Sequence, residues 1–216
     1  DGAPGAMQVK SDGWIMPFPV TEMKTTVDGE ILVKGPQIMH GYFNRPQETQ
    51  DMFTSDGWFK TGDLGTMDIH GYLNITDRKK DIIITSAGRK IAPMQVESAF
   101  AAHPMISQIS VFGDSRKYLG ALIVPDFDNL KIWASDNGIR SDSIEELITN
   151  SRVIAKYERI TDKMNRFSGF AEPVKKFKLM QRQFMFEEGE ATPSMRIKRK
   201  AIAAKYTKEI EALFAE

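Results

Sequence analysis

The chain has 216 residues, of which 41% are hydrophobic and 27% charged, a composition that excludes disorder over the whole length. Lys plus Arg and Asp plus Glu both total 29, so there is no cationic surplus for bulk nucleic-acid binding, although Arg196–Lys200 forms a local basic run. The absence of cysteine rules out disulfides, thiolate zinc sites and cysteine nucleophiles, and it fits a cytoplasmic protein.

Only His40, His70 and His103 could supply imidazole, and they are scattered, so no metal site is expected. No apolar run approaches the roughly 18 residues that cross a bilayer. Asp1–Met7 is small and Gly-rich, and reads as added residues or a loop cut from within a longer protein.

In chain order, Asp28-Gly29 separates Met23–Val27 from Glu30–Lys34. Asp-Gly supplies the positive φ of a tight turn, so a hairpin is expected there. A short helix is expected over Pro46–Met52 and a strand over Tyr72–Thr76. Asp56-Gly57 and His70-Gly71 punctuate the strands between. After the charged run Asp77–Asp81, Ile82–Ile84 reads as a buried strand and Ser86–Arg89 as a turn. Pro93 opens a helix, a position where its missing N–H costs nothing, and His103-Pro104 ends it. Ile106–Phe112 and Leu119–Val124 are strands joined by a polar turn. Leu130–Asn137 is helical up to Gly138. One long amphipathic helix is expected over Ile144–Phe167, and a strand over Lys176–Met185. A final helix shows Ile202, Tyr206, Ile210, Leu213 and Phe214 on one face.

Four stretches could carry chemistry. Asp63 sits in Thr61-Gly62-Asp63-Leu64-Gly65, where glycines allow close approach and a carboxylate can accept hydrogen bonds from both hydroxyls of a ribose. A turn aspartate bonded to its own backbone is the plain alternative. Arg78, Lys79 and Lys80 could neutralise phosphate or form a solvated loop. Ser86, Ala87 and Gly88 could bring backbone N–H groups to a ligand or form an ordinary turn. Arg196 and Lys198 lie where a loop meets a helix, and a cation there could meet charge developing on a carboxylate or phosphate. The bland reading is a basic helix surface, which the unfavourable placement of cations at a helix start counts against.

The order and spacing of these pieces resemble the AMP-forming adenylate-forming enzymes. The resemblance is carried by Asp28–Pro36 with Met39–Asn44, by Gly57–Gly65, by Asp77-Arg78, by Gly88–Pro93 and by Val96-Glu97. Asp77-Arg78-Lys79-Lys80-Asp81, the stretch Ser143–Pro173 and Thr192–Arg199 resemble the long-chain fatty acid–CoA ligases of that superfamily. The resemblance implies an α/β (α+β) fold in two parts. Residues 1–77 would be the last β-rich subdomain of a large adenylation domain. Residues 78–216 would be a small mobile C-terminal domain, a central sheet flanked by helices.

The implied activity is ATP-dependent conversion of a fatty acid to acyl-AMP and then to its coenzyme A thioester, with Mg2+ accompanying ATP. By the same resemblance, Asp63 holds the ribose, Arg78 lies beside ribose and phosphate, and Lys80 is the hinge. Ser86, Ala87 and Gly88 would line the coenzyme A tunnel in the thioester-forming pose. The closing-loop lysine of the family falls at Arg196, with Lys198 as a nearby substitute. The phosphate loop and acyl tunnel belong to an upstream domain and resemble nothing here, so the chain alone is expected to be inactive. A carrier protein as acyl acceptor, and a non-catalytic nucleotide- or partner-binding role, are the alternatives. Peripheral contact with a membrane stays open, as does the oligomeric state.

Overall fold

The computed structural model describes residues 8–9, 15–16, 20–141, 143–170 and 172–215. Asp1–Met7, read above as added or cut, lies outside the described residues. The chain divides into two compact units, Asp1–Ile82 and Ile83–Glu216.

The first unit is an antiparallel sheet of β1 (Gln8–Val9), β2 (Ile15–Met16), β3 (Glu22–Thr25), β4 (Glu30–Lys34), β5 (Phe59–Met67) and β6 (Leu73–Arg78), in the order β1-β2-β6-β5-β4-β3. The β3–β4 hairpin forms where Asp28-Gly29 predicts it. Gly29 adopts φ 82°, and the Glu30 N–H donates to Thr26 Oγ1 at 2.9 Å. Ile31, Val33 and Leu73 form its small core, with Ile15, Met23, Ile38 and Phe59 packed around them. Helix α1 (Pro46–Met52) starts on proline as expected.

The second unit contains a two-stranded ribbon, β7 (Ile83–Ile84) with β8 (Lys90–Ile91), and a three-stranded sheet ordered β11-β10-β9. In that sheet β10 (Leu119–Pro125) pairs antiparallel with β9 (Ile106–Phe112) and parallel with β11 (Val174–Leu179). Every residue of β10 is buried. Side chains alternate across a strand, so a continuous apolar run must be covered on both faces. Leu119, Ala121 and Ile123 enter one core with α2 (Pro93–Ala101), α3 (Phe127–Asp136), α4 (Ile144–Thr149) and α5 (Ser151–Ser168). Leu122 and Val124 enter another with α6 (Arg199–Lys205) and α7 (Thr207–Phe214).

Three expectations are corrected. The single helix over 144–167 is two. Asn150 is extended at ψ 127°, and its side chain accepts from the Arg152 N–H at 2.9 Å, capping α5 afresh. The strand expected to Met185 ends at Leu179. The last helix breaks at Tyr206, whose φ of −109° departs from helical geometry. In addition, α3 starts three residues before Leu130, because Asp126 accepts from the Asn129 N–H and caps it. The mixed α/β class is as expected.

Candidate functional site

Asp63 lies in the middle of β5, directly opposite Arg78 at the end of β6. The local sequence places it. Gly62 takes φ 71°, a conformation glycine reaches without Cβ strain, and the β4–β5 register shifts beside it. Thr61 Oγ1 donates to the Ile31 carbonyl at 2.8 Å and accepts from the Asp63 N–H at 3.1 Å. The carboxylate stands 26% exposed, with Arg78 Nε 3.0 Å from Oδ1. Asp77 is buried, and its Oδ1 accepts from the Arg78 N–H at 2.6 Å. Two residues brought together from separate motifs thus form one partly exposed ion pair across neighbouring inner strands of the sheet.

The other two cations of the charged run diverge. Lys79 Nζ lies 2.8 Å from Asp28 and 2.7 Å from the buried Glu30. Those contacts hold the Asp28 carboxyl at about 2 and raise Lys79 above the usual ammonium value; hydrogen bonding from Lys79 and then Thr26 is the main cause for Asp28. Sequence reasoning missed this role. The signal was the Asp28-Gly29-Glu30 hairpin, whose two acids flank a turn and need a cation. Lys80 sits on the single 3-10 turn Lys79–Asp81, exposed, and no ion pair for it is found among the described residues.

Ser86, Ala87 and Gly88 form one exposed turn between β7 and β8. Gly88 takes φ 74° into open space. The Ser86 N–H donates to the Arg116 carbonyl at 2.9 Å, and the Gly88 N–H donates to that of Thr85 at 2.9 Å. These two donors are therefore committed within the protein, and the turn offers a ligand its shape rather than those N–H groups.

Arg196 and Lys198 lie on a closed loop. Ala191 and Ile197 form a bridge, and the Thr192 N–H donates to the Arg196 carbonyl at 2.8 Å. Ile197 packs against the α6–α7 core. Alternation along the bridge then turns both cations outward, where they are exposed. The Arg196 guanidinium reaches Met94 Sδ at 3.7 Å. Arg199, one residue past Lys198, instead grips Glu97 through two bonds of 3.2 and 2.8 Å.

The base of the loop is tied to Glu190, whose backbone carbonyl accepts from the Lys198 N–H. Its buried carboxylate accepts from both Arg182 guanidinium nitrogens, at 2.8 and 2.6 Å, and from the Tyr206 hydroxyl at 3.0 Å. It also accepts from the Met185 N–H at 3.0 Å, and Lys205 Nζ lies 3.1 Å away. Among the described residues no cluster of three or more His, Asp or Glu is arranged to hold a metal ion.

Residues 80–216 match the family model of the AMP-binding enzyme C-terminal domain. The chain belongs to that family. It is 40% identical over 199 residues to long-chain-fatty-acid–CoA ligase FadD15 of Mycobacterium tuberculosis, covering 92% of this chain and 33% of the relative. It is 34% identical over 191 residues to long-chain-fatty-acid–CoA ligase 1 of Homo sapiens, covering 87% and 27%. The fold is shared with the adenylation domain of a carboxylate reductase from Mycobacterium chelonae, at a TM-score of 0.76 and 23% identity, over 100% of this chain and 34% of that one. The corresponding domain from Segniliparus rugosus, in complex with AMP and a co-purified carboxylic acid, gives 0.75 at 25% identity over 92% and 32%. The chain thus spans about a third of the length of the curated relatives it matches.

Proposed function

We propose that this chain is the hinge-bearing portion of an ATP-dependent ligase that activates a long-chain fatty acid as acyl-AMP and transfers it to coenzyme A. Residues 1–77 would be the last β-rich part of the adenylation domain and residues 78–216 the mobile C-terminal domain, turning about Lys80. The observation that carries the reading is the Asp63–Arg78 pair. Its carboxylate is partly exposed, Arg78 fixes one oxygen, and no contact of the other is found among the described residues. That oxygen, beside the bulged and glycine-flanked backbone of β5, suits the vicinal hydroxyls of a ribose, with the guanidinium beside the phosphate that follows.

Arg196 would meet the charge developing between carboxylate and α-phosphate, with Lys198 on the same outward face of the loop. Ser86, Ala87 and Gly88 would wall the thiol's approach. Magnesium would accompany the ATP phosphates, and no side-chain cluster described here holds it. The names of the relatives favour coenzyme A as acceptor. A carrier protein is the second reading, favoured by the 25% identity to the A-PCP didomain of a carboxylic acid reductase.

The test is ATP–pyrophosphate exchange by a protein that joins this chain to its adenylation domain. Asp63→Ala removes a charge-assisted hydrogen bond, so kcat/KM for ATP should fall by about 2–3 kcal/mol, roughly 30- to 150-fold. An unchanged ATP dependence would exclude Asp63 as the ribose ligand.

A further inference from the structure

Helix α5 carries Arg152, Lys156, Arg159, Lys163 and Arg166, spaced four, three, four and three residues apart. At 3.6 residues per turn they fall within roughly 80° of arc, in a line about 21 Å long. Arg152, Arg159, Lys163 and Arg166 are exposed and Lys156 is half-buried, while Val153, Tyr157 and Ile160 on the other side enter the core. The helix's acids, Glu158 and Asp162, fall outside that arc. No ion pair for any of the five cations is found among the described residues. Their field is felt nearby: the His103 imidazole is pushed below its ordinary value, first by burial and then by Lys156 and Lys163.

Like charges at this spacing destabilise a helix, so packing alone gives no reason for the pattern. The helix does not need them for its fold, because its apolar face already provides its attachment. Beside the stripe, Phe167 stands 80% exposed with the Lys163 ammonium 5.7 Å from its ring centroid. A straight cationic row with one exposed aromatic at its end matches a flat anionic surface with an apolar layer beneath it. An acidic protein would have to offer an apolar pocket for Phe167 in register with its charges, whereas a bilayer offers that layer everywhere.

We propose that the outward face of α5 docks the protein on an anionic lipid bilayer. The apolar face of the helix stays in the protein core, so the attachment is electrostatic and reversible, with Phe167 alone reaching below the headgroups. The proposal does not depend on which residues perform the chemistry.

The experiment is flotation of the 216-residue chain with vesicles of phosphatidylcholine alone and of phosphatidylcholine mixed with phosphatidylglycerol. The expected result is binding to the mixed vesicles only, falling steeply as salt rises. Each cation near an anionic surface is worth about fivefold in partitioning. Lys156→Gln/Arg159→Gln/Lys163→Gln should therefore lower it by about 100-fold. The double variant Arg159→Gln/Lys163→Gln leaves Lys156 over the Trp133 ring and should lower it by about 25-fold. Neutralising Lys117 and Lys208 together, which lie outside α5, should cost much less. Equal binding to neutral vesicles, binding retained in the α5 variants, or no binding of the unaltered chain at low salt would each overturn the proposal. So would preferential capture of an acidic carrier protein without vesicle binding.

Discussion

Glu190 is the residue on which the geometry of the Arg196 loop turns. Its side chain is 1% exposed, and a buried carboxylate without partners would be driven to protonate. Burial does push its pKa up, but Arg182, the Met185 N–H, Lys205 and Tyr206 outweigh that and hold it at about 2. Because the folded value lies below the ordinary 4.5, the stability it contributes is present above about pH 4.5 and is lost as pH falls toward 2. Glu190→Gln keeps the shape and removes the charge. It should cost about 2 kcal/mol at pH 7, since several charge-assisted bonds weaken while Arg182 and Lys205 retain access to water. The gap between the two proteins should shrink with acid and nearly close by about pH 2. Urea denaturation at a series of pH values measures it, and a gap independent of pH would assign the acid sensitivity to other carboxylates.

Among the elements, β5 shows how a motif is also a packing constraint. A Cβ on Gly65 would lie 2.6 Å from the Asn74 carbonyl oxygen on β6, backbone that cannot rotate away, and 2.9 Å from Ile31 Cδ1. Gly65→Ala should therefore push β5 from β6 at the point where their register shifts, costing about 1–3 kcal/mol. It should also loosen the Asp63–Arg78 pair two residues away. A lowered melting temperature, with faster amide exchange at Leu64 and Asn74 than in the unaltered protein, would show it; unchanged exchange would mean the strands absorb the methyl. This contact was not legible in the sequence, which marks Gly65 only as part of a motif. What was legible follows from local rules. Asp28-Gly29 dictated the hairpin, Pro93 the start of α2, and the apolar run 119–124 a strand. The break at Asn150 was hidden because Leu147, Ile154 and Tyr157 keep helical spacing across it, while only the cap geometry reveals the kink. In the site, the Asp63–Arg78 pairing depends on strand register and the Lys79 bridge on a hairpin 49 residues earlier, neither of which spacing alone can fix.

At the scale of the molecule, the two units differ in how much they bury. The first holds its sheet with Ile31, Val33 and Leu73 and partly buried neighbours. The second fills both faces of β10 from helices on either side, with Phe100, Tyr157 and Phe184 fully enclosed. Apolar burial is the main favourable term in folding, so the smaller core carries the smaller stability. A chain with two such cores need not unfold in one step. The first unit should lose its sheet at lower temperature or urea concentration than the second loses its helices. Tryptophan supplies the probe, since Trp14 and Trp58 belong to the first unit and Trp133 to the second. In a Trp133→Phe variant, fluorescence follows only the first unit, while far-ultraviolet circular dichroism is dominated by the helices of the second. The expected outcome is a fluorescence transition that precedes the loss of helical signal. Coincident transitions would mean that the units are energetically coupled or equal in stability.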